Sequence, residues 1–236
     1  MNLIKIKMDT YLVVTIKSWN IKNFHKYTKE FPGQWYLISN KEDFILEKVD
    51  KINLKKIFFP HWSWIIPGNI HEKYECILFH MTDLPFGRGG SPLQNLIARG
   101  IYKTKISAIR VVKELDAGDI YLKKSLNIKY GTAEKIFKRA SKLIYSMIKE
   151  IITKNPKLRT QKGKVIKFNR RMPEDGDLAP LNNIREVYDY IRMLDGEGYP
   201  RAFIKNKNIK YEFFKPELKN GEIQAKVIIK KENKND

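Results

Sequence analysis

A chain of 236 residues with 42% hydrophobic and 12% aromatic side chains can build one domain with an extension, or two small domains, and is too apolar to be disordered. No stretch approaches the roughly 20 apolar residues that span a bilayer, and a single cysteine excludes an internal disulfide. Forty-six Lys and Arg against 26 Asp and Glu give a formal charge of +20, but the lysines are scattered and no recognised nucleic-acid motif accompanies them, so anionic small molecules are expected and nucleic acid is not.

The first residues, Met1 to Lys7, lack the long apolar stretch and small-residue cleavage site of a secretory signal, and a reducing cytoplasm is the expected compartment. Residues 10–16, β-branched throughout their centre, predict a first strand. A short helix follows from Ser18 to near Tyr27, and Pro32-Gly33 turns the chain into a second strand at 34–39. Asn40 is placed to cap a helix running through Glu42 and Asp43 to Leu46. Residues 56–60 form a third strand that delivers the tryptophan-rich segment 61–67.

Cys76-Ile77-Leu78-Phe79 is an uninterrupted apolar run that ends at His80, and such runs suit strands buried on both faces of a parallel sheet. Cys76 reads as a small buried core side chain. Strands alternating with helical stretches predict an α/β fold with a doubly wound, mainly parallel sheet. Ligands in such sheets gather beyond the carboxyl ends of the strands, which is where His80 falls.

Asp83-Leu84-Pro85 keeps the next segment extended, and Gly87-Arg88-Gly89-Gly90 allows close approach to the main chain. Ser91 as N-cap and Pro92 in the first turn open a helix whose free NH groups favour anions or developing oxyanions. A strand at 106–112 leads to Asp116-Ala117-Gly118-Asp119, a tight turn whose first carboxylate comes 36 positions after His80. Residues 120–128 give another strand. Gly131-Thr132 caps the longest helix, 133–153, with Ile136, Ala140, Leu143, Ile144, Met147 and Ile151 on one face and Asn155-Pro156 as its stop.

Residues 157–180 are polar and basic, and the densest basic stretch, Lys154 to Arg171, reads as a linker. Asn183 caps a helix over 184–194, with Glu186 completing a capping-box pattern. The tail, 202–230, predicts two or three short strands joined through residues 216–221. The expected division is a catalytic domain at 1–178 and a small α+β extension at 179–236.

Three motifs in order, His80-Met81-Thr82-Asp83-Leu84-Pro85, Arg88-Gly89-Gly90-Ser91-Pro92 and Asp116-Ala117-Gly118-Asp119-Ile120, resemble the formyltransferases that use 10-formyltetrahydrofolate. Residues 61–67 are similar to the folate-pocket segment of that family, although on burial habits alone Trp62 and Trp64 could equally be core. The resemblance implies a Rossmann-like formyltransferase fold and an acyl transfer to an amine. It places the catalytic histidine and aspartate at His80 and Asp116. It implies folate contacts at Trp62, Trp64, Ile65, Ile66, Pro67, Arg88, Gly89, Gly90, Ala117, Gly118 and Asp119, while Thr82 and, for a diphosphate, Arg171 and Arg192 are the candidate substrate contacts.

One departure stands out. The family pattern has an asparagine two residues before the histidine as oxyanion donor, and this chain has Leu78. Asn95 is the expected replacement, with Gln94 and His61 as alternatives. The form of the loop motif, with the stretch from Arg192 to Phe203, resembles short bacterial nucleotide-sugar formyltransferases. That likeness implies a UDP-linked 4-amino sugar as substrate and folate as the other partner; no membrane partner is expected, and a homodimer is the candidate assembly. A catalytically impaired folate-binding protein, or a basic RNA-binding protein on the same fold, are the alternatives.

Overall fold

The structure, a computed structural model, describes residues 8–232; the Met1 to Lys7 segment discussed above lies outside them. The chain opens with β1 (Thr10–Val14), α1 (Ser18–Tyr27), β2 (Gln34–Ile38), α2 (Leu46–Val49), β3 (Lys56–Phe59), α3 (Gly68–His71) and β4 (Cys76–His80). It continues through β5 (Phe86–Gly89), α4 (Pro92–Ala98), β6 (Lys103–Arg110), β7 (Ile120–Asn127) and α5 (Ala133–Lys154). Then come β8 (Ile166–Phe168), α6 (Ile184–Leu194), β9 (Ala202–Asn206), β10 (Ile209–Lys219) and β11 (Glu222–Lys231).

Two compact units share this chain. The first gathers the described residues up to Arg88 with Lys105–Ser125 and Lys138–Ile166; the second gathers Gly89–Thr104, Leu126–Phe137 and the described residues from Lys167 on.

The first unit is built on a sheet of order β2-β1-β3-β4-β6-β7, in which β1 to β4 run parallel. Leu12, Val13, Val14, Ile57, Phe58, Phe59 and Ile77 are wholly buried, as expected of strands covered on both faces. The sheet is thus Rossmann-like and mainly parallel. It is not parallel throughout, because β6 pairs antiparallel with β4 and sets His80 opposite Ser107. α1 and α5 are joined in this unit by Asn23 Nδ2 donating to Ser141 Oγ at 2.7 Å and by Tyr145 OH donating to the Asn20 carbonyl at 2.9 Å. Ala140, Ile144, Met147 and Ile151 of α5 are buried, matching the apolar stripe in the sequence. Cys76 is an inert core thiol, pushed up to about 12 by burial.

The second unit pairs α6 with the antiparallel sheet β11-β10-β9. α6 has the bounds read from the sequence, and Asn183 Oδ1 caps it by accepting from the Arg185 N–H at 2.8 Å.

Several local expectations are corrected. Asn40 caps only a 3-10 turn at Lys41–Asp43, because Ile45 is extended (φ −126°, ψ 152°) and breaks the helix before α2. Ser91 occupies the start of α4 with φ 48°, and its hydroxyl accepts from the Arg171 N–H at 3.1 Å instead of capping the seven-residue helix. Pro216 does not join two strands. It lies inside β10 where the register breaks between Phe214 and Glu217, the kind of irregularity that tolerates a proline, and the chain reverses at Asn220-Gly221. The supposed linker at 154–171 contains β8, and a 3-10 turn follows it at Pro173–Gly176.

Candidate active site

β4 ends at His80, and its imidazole is 6% exposed. Nε2 lies 2.7 Å from the Gly87 carbonyl oxygen. A carbonyl only accepts, so Nε2 must carry the hydrogen. The Thr82 hydroxyl donates to the same oxygen at 3.3 Å. Nδ1 is left facing Asp116, whose Oδ2 stands 3.5 Å away, with both side chains buried. The first unit therefore brings together the two residues singled out in the sequence.

Asp116 adopts a left-handed backbone (φ 53°), which aspartate tolerates better than most residues. Gly118 lets the turn press against the end of β6: a Cβ there would meet the Arg110 carbonyl oxygen at 1.7 Å. The Arg110 N–H donates to the Asp119 carbonyl at 2.9 Å, and the Ala117 N–H to the Glu114 carbonyl at 3.3 Å, so Ala117 and Asp119 help close the turn.

Buried bonds fix the segment after His80. Ser107 Oγ, wholly buried, donates to the Thr82 carbonyl at 2.7 Å and accepts from the Leu84 N–H at 3.3 Å. Asp83 is bound by Lys123 at 2.5 Å and Lys105 at 2.9 Å, and Lys123 also donates to the Leu84 carbonyl. Burial raises the Asp83 carboxyl, but the hydrogen bonds from Lys123 and Lys105 outweigh it and hold the group below its usual value.

The tryptophan segment lies in the same unit. Trp62 packs on Phe44 at 5.7 Å, Phe59 at 6.1 Å and Trp64 at 4.9 Å between ring centroids. Ile66 is buried, whereas Trp64 and Ile65 are 37% and 77% exposed and Pro67 is exposed. Trp62 Nε1 is buried with no hydrogen-bond partner. A flat heterocycle with acceptors at its edge fits this surface: the exposed apolar side chains match its face, and the orphan N–H needs an acceptor. Leu78, on the same face of β4 as His80, packs on the cluster that contains Ile66, alongside Trp62. It offers no donor. His61, with φ 56°, is pushed down to about 3 by burial and by the nearby Lys17 ammonium, so it is neutral.

Other expected residues have different partners. Arg88 Nε and Nη2 donate to Gln161 Oε1 at 3.1 and 2.9 Å, and Nη1 to Glu114 at 3.2 Å. In the second unit, Gly89 (φ 109°) is needed where the chain crosses β8, since a Cβ would lie 2.3 Å from the Phe168 carbonyl oxygen. The Gly90 N–H donates to that oxygen at 3.1 Å. Asn95 donates both amide hydrogens to carbonyls, Gly90 at 3.0 Å and Asn169 at 2.8 Å, so the expected oxyanion donor is already committed to the loop. Gln94 likewise donates to the Met193 carbonyl at 3.1 Å.

Arg171 stacks over Tyr190 at 5.1 Å and donates to the Asp175 carbonyl at 2.6 Å, while its buried Nε has no partner. Arg192 is corrected outright. It is 0% exposed, paired through Nε with Asp189 at 2.5 Å, and donates to the carbonyls of Ile128 at 3.0 Å and Gly131 at 3.1 Å. A side chain so enclosed holds the unit together and cannot reach a diphosphate.

Residues 173–230 match the family described as methionyl-tRNA formyltransferase, C-terminal domain. The structure of the methionyl-tRNA formyltransferase from Clostridium thermocellum is similar with a TM-score of 0.91 and 53% identity, covering 94% of this chain and 99% of that one. The methionyl-tRNA formyltransferase of Mesoplasma florum is 31% identical over 188 residues, 76% of this chain and 59% of that protein. The chain spans about half the length of such curated relatives, 59% for the one from Mesoplasma florum and 48% for the one from Malacoplasma penetrans. The 4-N formyltransferase from Francisella tularensis, 16% identical with a TM-score of 0.67 over 84% of this chain and 93% of that one, shares the fold. No helix among the described residues is long and apolar enough to cross a membrane.

Proposed function

The chain belongs to the formyltransferase family, and from that premise we propose that it transfers a formyl group from 10-formyltetrahydrofolate to a primary amine. The observation that carries this reading is the buried pair formed by His80 at the end of β4 and Asp116 on its turn. Formyl transfer requires a group that moves protons between the attacking and leaving nitrogens, and a donor for the charge that develops on the formyl oxygen.

The folate, when bound, supplies an acylating carbon already carried on nitrogen. His80 keeps its Nε2 hydrogen on Gly87, which confines proton exchange to Nδ1. Asp116 stabilises the protonated imidazole and orients it. The burial of both side chains keeps water from competing. With Leu78 in place of an amide, and both ring nitrogens of His80 already addressed by Gly87 and Asp116, this reading has no dedicated side-chain donor for the oxyanion. The loss of one donor costs about a hundred- to a thousandfold in rate, so slow turnover is expected. The segment from Trp62 to Pro67 holds the pterin, with Arg88, Ala117 and Asp119 beside it; Thr82, expected to touch the substrate, is wholly buried and steadies the Gly87 carbonyl instead.

The acceptor proposed is the amino group of a nucleotide-linked 4-amino sugar, with UDP as the nucleotide; the form of the Asp83 to Asn95 motif supports it. A second acceptor, methionyl-tRNA, is favoured by the 53% identity to a protein of that name and by the match at residues 173–230. The test is incubation of the purified protein and 10-formyltetrahydrofolate with UDP- and dTDP-linked 4-amino sugars and, separately, with methionyl-tRNA. Formylation of a sugar supports the first acceptor, and formylation of the tRNA alone replaces it with the second. No product in any arm overturns the formyl-transfer reading.

A further inference from the structure

We propose that Gln161 is a positioning residue that sets the spacing of His80 and Asp116. It does so by tying the turn that carries the carboxylate to the loop that anchors the imidazole. No feature of its sequence neighbourhood marks it, since it lies in a polar, basic stretch. Its amide is nevertheless used at both ends. Oε1 accepts two hydrogen bonds from the Arg88 guanidinium, at 3.1 and 2.9 Å. Nε2 donates to the carbonyls of Asp116 at 2.8 Å and Gly118 at 2.9 Å.

These contacts close a ring. His80 Nε2 is bound to the carbonyl of Gly87, and the next residue along the chain is Arg88. Arg88 binds Gln161, Gln161 binds the backbone of Asp116, and the Asp116 carboxylate faces His80 Nδ1. The imidazole is thus held through one nitrogen by the first loop and addressed through the other by the second. The side chain of Gln161 is a direct and part-buried link between the two loops, beside the exposed contact of Arg88 with Glu114 at 3.2 Å.

The backbone around Gln161 is itself pinned to both. Ile120 and Arg159 exchange two backbone hydrogen bonds, at 2.8 and 3.0 Å, just after the Asp116 turn. The Ile166 N–H donates to the Pro85 carbonyl at 3.3 Å, just before Gly87. Residues 159–166 therefore run as a strap from one loop to the other, with Gln161 facing the gap. Only a primary amide serves here. A carboxylate would keep the Arg88 contact but would set its second oxygen against two carbonyls, and asparagine is one methylene too short.

Positioning matters because the reacting groups must be held to within a fraction of an ångström, and displacement by about 1 Å costs on the order of a hundredfold. The kinetic part of this proposal rests on the formyl-transfer reading; the structural part does not. Gln161→Ala and Gln161→Glu are to be compared with the unaltered chain by steady-state kinetics, thermal midpoint and proton NMR of the His80 ring N–H groups. The expected result is a kcat lower by about 10- to 100-fold with the donor KM changed less than about threefold. The ring N–H signals broaden through exchange with water in both variants, while the fold is kept. Gln161→Glu retains the Arg88 contact and the side-chain volume, and decides the matter if Gln161→Ala does not fold.

Unchanged ring N–H signals in a folded variant would overturn the proposal, as would an unchanged kcat in a chain that transfers formyl groups. A chain that transfers no formyl group fails the functional reading alone, and the NMR comparison then decides the role of Gln161.

Discussion

The Nδ1 of His80 and the carboxylate of Asp116 face each other at 3.5 Å, one from a strand end and the other from a left-handed turn. Because Nε2 is fixed as a donor to Gly87, the proposed function has the two side chains act as one proton-handling unit. His80→Asn and Asp116→Asn are each expected to lower kcat by about 10²- to 10⁴-fold, with the double variant little worse than the more damaged single one. The rate of tetrahydrofolate release checks this, and losses that simply multiply would show that the residues work independently.

Gly118→Ala should damage the same unit from a distance. The new Cβ would occupy space 1.7 Å from the Arg110 carbonyl oxygen, so the turn must lift away from β6 and carry Asp116 with it. Turnover is expected to fall by more than about tenfold, with stability lower by about 1–3 kcal/mol. Urea unfolding and kcat, measured on the same preparation, give both numbers.

Arg192 makes a contrasting case, in which stability and function separate. Replacing it by methionine leaves Asp189 buried without its nearest counter-charge, at an expected cost of about 3–5 kcal/mol. Tyr102 and Arg185 still reach the Asp189 carboxylate, at 2.6 and 3.4 Å, and place the loss toward the lower end. Affinity for nucleotide diphosphates, measured by calorimetry below the lowered melting temperature, should not change.

The pH dependence of stability should carry the mark of His61. Its folded-state value is pushed from 6.5 down to about 3, so the unfolded chain takes up the proton first as pH falls. The contribution is fully present above about pH 6.5 and is lost progressively toward pH 3, with a slope of at most about 1.4 kcal/mol per pH unit. His61→Gln should flatten the denaturation profile in that window relative to the unaltered chain. An identical slope in both would place the ring in solvent.

How much of this was legible in the sequence depends on how local each signal is. His80 could be found because an apolar run ending in a polar residue marks a buried strand end, and Asp116 because its turn resembles the motif in which the formyltransferase family carries its aspartate. α6 was bounded correctly because Asn183 and the apolar stripe are local features. Gln161 was invisible, since its partners Arg88, Asp116 and Gly118 lie 43 to 73 positions away. Arg192 was misread for the opposite reason: arginine is usually solvated, and only the carbonyls of Ile128 and Gly131 explain its burial. The direction of β6 was likewise closed to inspection, because an apolar strand reads the same whichever way it pairs.

The fate of the formyl carbon tests the account most directly. With carbon-13 in the formyl group of the donor and an acceptor amine present, NMR should show the label passing to a formamide on the acceptor. The same label should stay on the donor over the same interval with His80→Asn. Transfer at the same rate by that variant, or release of the label only as free formate by the unaltered chain, would contradict it.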